Sequence, residues 1–273
     1  MRTALYGAII GDMVGSPYEG KFRAIKTKNF PFFSEACRFT DDTTLTVAIA
    51  DALLDLGTAA DENQIKTAVI RSMQRLGRKY LHVGYSRSFK QWLMQDDPKP
   101  YNKSSNGSAM RVSAVGWRFD TIERTRQVAR FTAEVSHNTP EGIRGAESVA
   151  SAIFLSRNGA SKAEIKSYVE NEFGYDLSRT LDEIRPIYYP IVACEGSVPE
   201  ALISFLESTN FEDAIRNAVS LGGDSDTLAA IAGSVAEAFY EIPDEFIAEC
   251  TARLPEDMRE VLTHFNRTAE IFH

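Results

Sequence analysis

The chain has 273 residues, with 38 Asp or Glu against 30 Lys or Arg, so its formal net charge is −8. Hydrophobic residues make up 44% and charged residues 25%, a composition that excludes a disordered chain. The acidic balance argues against a general nucleic-acid-binding protein, which needs a basic face, but leaves room for a local site for an anionic ligand. The length approaches the upper limit for one hydrophobic core, which predicts a single domain over residues 1–273.

Segments that would direct the chain to a membrane or across one are not predicted. No stretch approaches the roughly 18 to 20 consecutive apolar residues that a membrane helix needs. The first apolar stretch is interrupted by Asp12, which argues against a secretory signal. The three cysteines, Cys37, Cys194 and Cys250, are far apart and form no CxxC motif. Such a set indicates reduced thiols in a cytoplasmic protein rather than a disulfide framework or a zinc site.

Apolar residues recur at helical spacing along most of the chain. After a first helix around residues 7–15, a face with the spacing i, i+3, i+4, i+7 runs from Leu45 to Leu56. Similar patterns cover residues 128–135, 146–155, 165–173, 201–206 and 228–239, and alanine is abundant in them. No convincing series of alternating strands is present, so we predict an all-α domain of about a dozen helices.

Three segments do not fit the helical pattern. Residues 17–39 contain glycine, proline and clustered basic and aromatic residues. A structureless stretch of that size within a compact domain is usually functional, often a lid. Residues 96–105 form a polar loop with two prolines, and residues 175–199 are predicted to be irregular because they contain Pro186, Pro190 and Pro199.

Two short acidic motifs precede apolar helical runs. The first is Phe39-Thr40-Asp41-Asp42-Thr43-Thr44, and the second is Gly222-Gly223-Asp224-Ser225-Asp226-Thr227. Helix capping is one interpretation, because Thr and Asp at a helix N-terminus accept backbone hydrogen bonds. A cap needs only one such side chain, however, and adjacent carboxylates repel each other unless a cation is present. Together the motifs offer four carboxylates and two hydroxyls, hard oxygen ligands that suit two Mg²⁺ or Mn²⁺ ions.

Three further features are weaker signals when taken alone. Glu19 follows the first helix and could equally be a solvated loop residue. Residues 104–111 form a small-residue turn that opens a helix and could present backbone N–H groups to a phosphate or simply cap the helix. His137, in Ser136-His137-Asn138-Thr139-Pro140, is of a kind that more often caps or packs than catalyses.

In combination, these motifs resemble those of the ADP-ribosylglycohydrolase family. The resemblance rests on motifs in the same order over nearly the whole chain: Gly7-Ala8-Ile9-Ile10-Gly11-Asp12, Pro17-Tyr18-Glu19, Thr40-Asp41-Asp42-Thr43, Asn106-Gly107-Ser108-Ala109-Met110-Arg111, Ser136-His137 and Gly222-Gly223-Asp224-Ser225-Asp226-Thr227. The two acidic motifs carry most of its specificity. Two positions depart from the family pattern, since Ser105 and Glu241 stand where many members have glycine. These departures bear on specificity more than on activity.

The resemblance implies an all-α fold with a binuclear Mg²⁺ or Mn²⁺ centre at the base of a cleft. It implies metal ligands at six positions: Thr40, Asp41, Asp42, Asp224, Asp226 and Thr227. Glu19 would reach the site from its loop, and Glu19 or Asp41 would move protons. The cleft for ADP-ribose would be lined by Asn106, Gly107, Ser108 and His137.

The implied activity is hydrolysis of ADP-ribose from a modified protein or a small ADP-ribose conjugate. An N-glycosidic arginine linkage is the first expectation, and an O-linked serine, a modified nucleobase or a free metabolite stays open. Two other classes also stay open. An isoprenoid-type diphosphate enzyme would need a DDxxD repeat, whose third Asp is missing after Asp41 and Asp42. A catalytically inactive binding protein would have lost ligands, whereas all six positions are intact.

Overall fold

The computed structural model describes residues 3–269, and this part of the chain is all-α, as predicted. Within it there is no β-strand, only an isolated bridge between Ser105 and Ala193. The fourteen helices formed by the described residues are α1 (Tyr6–Gly15), α2 (Asp41–Leu54), α3 (Glu62–Lys79), α4 (Arg87–Leu93), α5 (Ser113–Arg118), α6 (Ile122–Glu134), α7 (Pro140–Arg157), α8 (Lys162–Phe173), α9 (Leu181–Ile184), α10 (Cys194–Leu206), α11 (Phe211–Val219), α12 (Ser225–Phe239), α13 (Asp244–Arg253) and α14 (Glu256–Ala269).

The centre of the fold is a close contact between α1 and α12. Gly7, Gly11 and Gly15 are four residues apart on α1 and therefore lie on one face of the helix. A Cβ at Gly7 or Gly11 would come within 2.2 Å or 2.1 Å of a carbonyl oxygen of α12, and one at Gly15 within 2.5 Å of the Asp226 Cα. The missing side chains let the two backbones touch, and this contact brings the start of α12 against the end of α1.

The N-terminal end of α1 is held by an acid from α12. Leu5, which precedes α1 with a φ of 77°, provides no capping side chain. Glu237 takes this role, because its carboxylate accepts hydrogen bonds from Tyr6 N at 3.2 Å, Gly7 N at 2.9 Å and Thr3 Oγ1 at 3.0 Å. Burial raises the pKa of Glu237 to about 7, and these hydrogen bonds partly oppose the rise.

The prediction of an irregular segment over residues 175–199 is wrong in two places. The short helix α9 lies inside it and begins with a capping box, in which Thr180 and Glu183 bond each other's backbone N–H groups. Helix α10 already begins at Cys194, with Pro199 as its sixth residue. Pro199 lies inside this helix and lacks the N–H that would bond the carbonyl of Glu195, yet the helix continues through it to Leu206. Residues 185–193 between the two helices are irregular, as expected.

The other two irregular segments are confirmed. Apart from a 3₁₀ turn over Ser16–Tyr18, the connection from α1 to α2 contains no helix. Residues 96–104 are also without helix or strand. Among the helices of residues 3–269, none has both the length and the apolar character that crossing a bilayer requires.

Candidate metal centre and substrate cleft

The first acidic motif forms the N-terminus of α2. Thr40 is the N-cap residue, and its hydroxyl accepts a 3.3 Å hydrogen bond from Asp42 N. Asp41 N donates to Val83 O at 3.0 Å, which anchors the first turn to the loop after α3. The capping interpretation is therefore correct for Thr40. It does not account for the carboxylates of Asp41 and Asp42, which make no capping bond.

Asp12 supports this turn from α1, and the sequence analysis did not identify it as part of the site. Its Oδ1 accepts from Thr40 Oγ1 at 2.7 Å, and its Oδ2 accepts from Thr40 N at 2.8 Å and Thr43 N at 3.1 Å. Thr43 Oγ1 donates to the same Oδ2. The signal that could have revealed this role is a fully buried acid within an apolar glycine-rich helix. Burial raises the pKa of Asp12 to about 6 despite these four donors.

The second acidic motif forms the N-terminus of α12 opposite the first. Asp224 occupies the N-cap position of α12, but its side chain makes no capping hydrogen bond. Its Oδ2 instead accepts a 2.7 Å hydrogen bond from Asn106 Nδ2. Thr227 Oγ1 lies 3.3 Å from Asp42 Oδ2, so the two motifs are in direct contact.

The carboxylates of the two motifs form two groups that share one member. One oxygen each from Asp12, Asp42 and Asp226 lie within 4.8 Å of one another, and the same holds for Glu19, Asp224 and Asp226. Asp226 therefore lies between the two groups. Because the groups overlap at this residue, the five carboxylates form one continuous acidic cluster.

Glu19 is brought to this cluster by bonds on both sides of it. Ser225 Oγ donates to Tyr18 O at 3.2 Å, and Gly20 N donates to Gly223 O at 2.8 Å. Both bonds join the connection between α1 and α2 to the second acidic motif. The side chain of Glu19 is 44% exposed and lies 3.9 Å from Arg23. The structure thus places Glu19 at the edge of the site rather than at its base.

The cluster has the electrostatic character of a site built for cations. Burial and the neighbouring acids raise the pKa of Asp42 and Asp226 well above the usual range. Burial also raises the pKa of Asp224 to about 6 and, together with Asp12, that of Asp41 to about 7. None of the ion pairs formed within residues 3–269 involves these four carboxylates.

One carboxylate oxygen in the cluster is particularly informative. Asp42 Oδ1 is buried and accepts no hydrogen bond. A buried, unpaired carboxylate oxygen is costly, and a divalent cation would satisfy it. The surrounding donor set consists of carboxylate and hydroxyl oxygens, the ligands that Mg²⁺ and Mn²⁺ favour. The residues present therefore fit a divalent ion.

Above the cluster lies a cleft of about 460 Å³. Its lining carries several acidic side chains and two basic ones, and includes Glu19, Asp41, Asp42, Asp224, Asp226, Thr227, Tyr101, Lys103, Ser105, Asn106, Gly107, Arg111 and His137. Arg111 is fully buried, and its guanidinium donates to Thr132 O and Ser136 Oγ, both at 2.8 Å. A cleft lined by both kinds of charge suits a ligand that has hydroxyl groups as well as an anionic group.

The four residues expected to line the substrate cleft have different positions. Asn106 and His137 line it, and so does Gly107, where a Cβ would lie 2.9 Å from His137 Nε2. Ser108 is fully buried behind the wall, where its hydroxyl donates to Gly142 O at 2.7 Å. Thr40 is buried beside Asp12 and is not among the residues that line the cleft.

Comparisons with known proteins agree with these observations. A model of the family named ADP-ribosylglycohydrolase matches residues 1–271. The chain is 25% identical to human "ADP-ribosylhydrolase ARH3" over an alignment of 322 positions, which covers 91% of this chain and 88% of that protein. It is 27% identical to "ADP-ribosylarginine hydrolase Tri1" of Pseudomonas putida over an alignment of 278 positions, which covers 90% of this chain and 72% of that protein.

A solved structure supports the same assignment for the fold. The chain of an "ADP-ribosylglycohydrolase-related protein complex" matches with a TM-score of 0.70 at 23% identity, covering 98% of this chain and 97% of the other. At this identity the match bears on the fold alone, whereas the family match covers nearly every residue. The chain therefore belongs to the ADP-ribosylglycohydrolase family of glycosidases.

Proposed function

We propose that this protein is a divalent-cation-dependent ADP-ribosyl hydrolase that releases ADP-ribose from ADP-ribosylated arginine. The observation that carries the proposal is the pair of acidic groups sharing Asp226, with the buried and unpaired Asp42 Oδ1 at their base. Two Mg²⁺ or Mn²⁺ ions would be held by Asp42, Asp224 and Asp226 of these groups. Asp41, which belongs to neither group, and the hydroxyls of Thr40 and Thr227 would complete the set of ligands. Bound there, such ions would supply Lewis acidity and make nearby water more acidic.

The residues around the cluster suit cleavage at the anomeric carbon of a ribose. In glycoside hydrolysis, positive charge develops on the sugar ring as the bond to the leaving group breaks. The carboxylate cluster would stabilise that charge electrostatically. Glu19 and Asp41 both line the cleft, so either can take a proton from the attacking water or return one to the departing nitrogen.

The basic side chains of the cleft would hold the remainder of ADP-ribose. Lys103 lines the cleft, and the buried Arg111 adds positive charge to it. The turn of Asn106 also lines the cleft, and its amide contacts Asp224 of the carboxylate cluster. We place the diphosphate near the basic side chains and the distal ribose over the carboxylate cluster.

The choice of an arginine linkage rests on charge at the cleft mouth and on one relative. Glu19 is partly exposed there, and a carboxylate complements the guanidinium of a modified arginine. A hydroxyl leaving group, as in ADP-ribosyl-serine, would gain less from this charge. The Pseudomonas putida relative is named an ADP-ribosylarginine hydrolase, in agreement with this choice.

A substrate panel tests the proposal. The protein is incubated with ADP-ribosyl-arginine, ADP-ribosyl-serine and O-acetyl-ADP-ribose, each with Mg²⁺, with Mn²⁺ and with EDTA, and released ADP-ribose is measured. We expect the fastest release from the arginine conjugate and none with EDTA. Faster release from serine would overturn the linkage. Release in EDTA would overturn cation dependence, and no release from any conjugate would overturn the hydrolase itself.

A matched pair of variants ties the activity to the cluster. Asp226→Asn removes the shared carboxylate while keeping its size, whereas Asp97→Asn makes the same change on a side chain that is 80% exposed. We expect turnover to be lost in the first variant and unchanged in the second. Equal activity of both would show that the reaction occurs elsewhere.

A further inference from the structure

A hydrogen-bond chain leads from a buried arginine to the wall of the cleft. Arg111 Nη2 lies 2.8 Å from Ser136 Oγ, which in turn lies 2.8 Å from His137 Nδ1. On the other side of the ring, His137 Nε2 lies 2.9 Å from Ser105 Oγ. Ser105 lines the cleft.

The direction of this chain follows from what each group can donate. A guanidinium has N–H donors and no acceptor, so Ser136 Oγ accepts from Arg111. The side chain of Tyr101 also bonds Ser136, and its phenol O–H can be the donor there. The one hydrogen of the Ser136 hydroxyl can then go to His137 Nδ1, which lies within reach as an acceptor. In a neutral imidazole with Nδ1 as acceptor, the proton is on Nε2, which donates to Ser105 Oγ.

The charge around His137 favours this direction over its reverse. His137 is buried, and the nearby cations Arg111 and Lys103, together with burial, lower its pKa well below the usual range. The ring is therefore neutral at physiological pH. The tautomer in which the Nδ1 lone pair faces the Arg111 side and the N–H points away from that cation is electrostatically favoured. This tautomer has its hydrogen on Nε2, which faces Ser105.

Ser105 consequently has a hydroxyl hydrogen that the chain of hydrogen bonds does not use. Its oxygen accepts from His137 Nε2, so its own hydrogen is available to a ligand in the cleft. Arg111 and Lys103, which both line the cleft, act electrostatically on His137 beside Ser105, and these cations favour an anionic acceptor. A glycine at position 105 could not make this bond, since it has no side chain.

We propose that the Ser105 hydroxyl donates a hydrogen bond to a phosphate oxygen of bound ADP-ribose, and that Arg111, Ser136 and His137 fix its direction. Ser105 is thus a substrate-binding contact, and the other three are positioning residues. This inference rests on the proposed function, because it takes ADP-ribose as the ligand. It adds a substrate contact made by the side chain of residue 105.

The first test is the protonation state of the ring. In ¹⁵N-detected NMR of the protein without ligand, we expect His137 to be neutral between pH 6 and pH 8, with its proton on Nε2. A proton on Nδ1 would overturn the inference, since Ser105 would then have to donate to the ring. This outcome is independent of whether the protein hydrolyses anything.

The second test is a double-mutant cycle in ADP-ribose binding with Mg²⁺ present. Calorimetry compares the protein with Ser105→Ala, Ser136→Ala and the double variant, after denaturation curves have verified that each is folded. We expect Ser105→Ala to weaken binding about 10- to 150-fold, as for a hydrogen bond to a charged group. We also expect Ser136→Ala to add little to that loss, because both residues belong to one chain.

The outcomes separate this inference from the proposed function. Unchanged affinity in Ser105→Ala, or losses that simply add in the double variant, would overturn the hydrogen-bond chain while ADP-ribose binding itself stands. If the unmodified protein does not bind ADP-ribose at all, the proposed function falls, and the ligand contact falls with it. In that case the NMR result would still report the direction of the chain.

Discussion

Gly11→Ala tests whether the contact between α1 and α12 governs stability. A Cβ at Gly11 would lie 2.1 Å from Ala229 O and 2.4 Å from Ala229 C. Both atoms belong to the backbone of α12, so neither can move away by a change of rotamer. Since ordinary van der Waals contact begins at 3.4 Å, the two helices would have to separate by about 1.3 Å at this point.

We expect Gly11→Ala to lower the free energy of unfolding, although helix propensity alone would raise it. Alanine is favoured over glycine inside a helix by about 1 kcal/mol, so propensity alone predicts a more stable protein. Overpacking of a rigid interior costs about 1–3 kcal/mol and sometimes more, and here it acts on two backbones. We therefore expect a net loss of about 2 kcal/mol. Because the same contact positions Asp226 against Asp12, cation affinity should fall as well.

The assay is urea denaturation of Gly11→Ala beside Gly57→Ala. Gly57 has nothing within 4 Å of an added Cβ, so it provides the same substitution without the contact. We expect the midpoint to fall clearly in Gly11→Ala and to change little in Gly57→Ala. A Gly11→Ala protein as stable as the unmodified one would refute the reasoning, because it would show that α12 can move away freely.

Three further predictions concern the carboxylate cluster. The folded-state pKa values of Asp41, about 7, and Asp224, about 6, are raised, so their stabilising contribution is present at low pH and lost as pH rises through these values. In the presence of EDTA, the urea midpoint should therefore fall as the pH rises from 5 to 8, and saturating Mg²⁺ should restore it at pH 8. A midpoint that rises with pH in EDTA would contradict this prediction. In EDTA at pH 8, Asp226→Asn should unfold at a higher urea concentration than the unmodified protein, because one of the buried negative charges that repel one another is gone. A lower midpoint would show that repulsion among these carboxylates does not limit stability. Asn106→Ala should weaken Mg²⁺ binding in calorimetry about 10- to 100-fold, as for loss of a hydrogen bond that orients a ligand, and unchanged affinity would show that Asp224 needs no such partner.

The sequence predicted the helices and the two acidic motifs well because both depend on local pattern. Helical spacing identified α2 and α12, and the motifs are located at their first turns, as expected from residues that favour helix N-termini. The order and separation of the two motifs, together with the family resemblance, predicted that they form one site. The same local logic placed Pro199 in an irregular segment, whereas it lies inside α10.

The supporting residues could not be predicted in the same way. Asp12 acts on Thr40 and Thr43 across 28 to 31 positions of sequence, and its role depends on how closely α1 approaches α2. Ser108 was expected in the cleft because its neighbours line it, yet its side chain points away from the cleft, towards Gly142. Such orientations follow from tertiary packing, which single-sequence patterns do not encode.

The central claim, that the two acidic motifs form one binuclear cation site, is tested most directly by counting bound ions. Mn²⁺ binding is measured by electron paramagnetic resonance for the unmodified protein and for Asp226→Asn. We predict two ions per chain, and loss of affinity at both sites in the variant, because Asp226 belongs to both carboxylate groups. One ion or none in the unmodified protein, or two tightly bound ions in Asp226→Asn, would contradict the account.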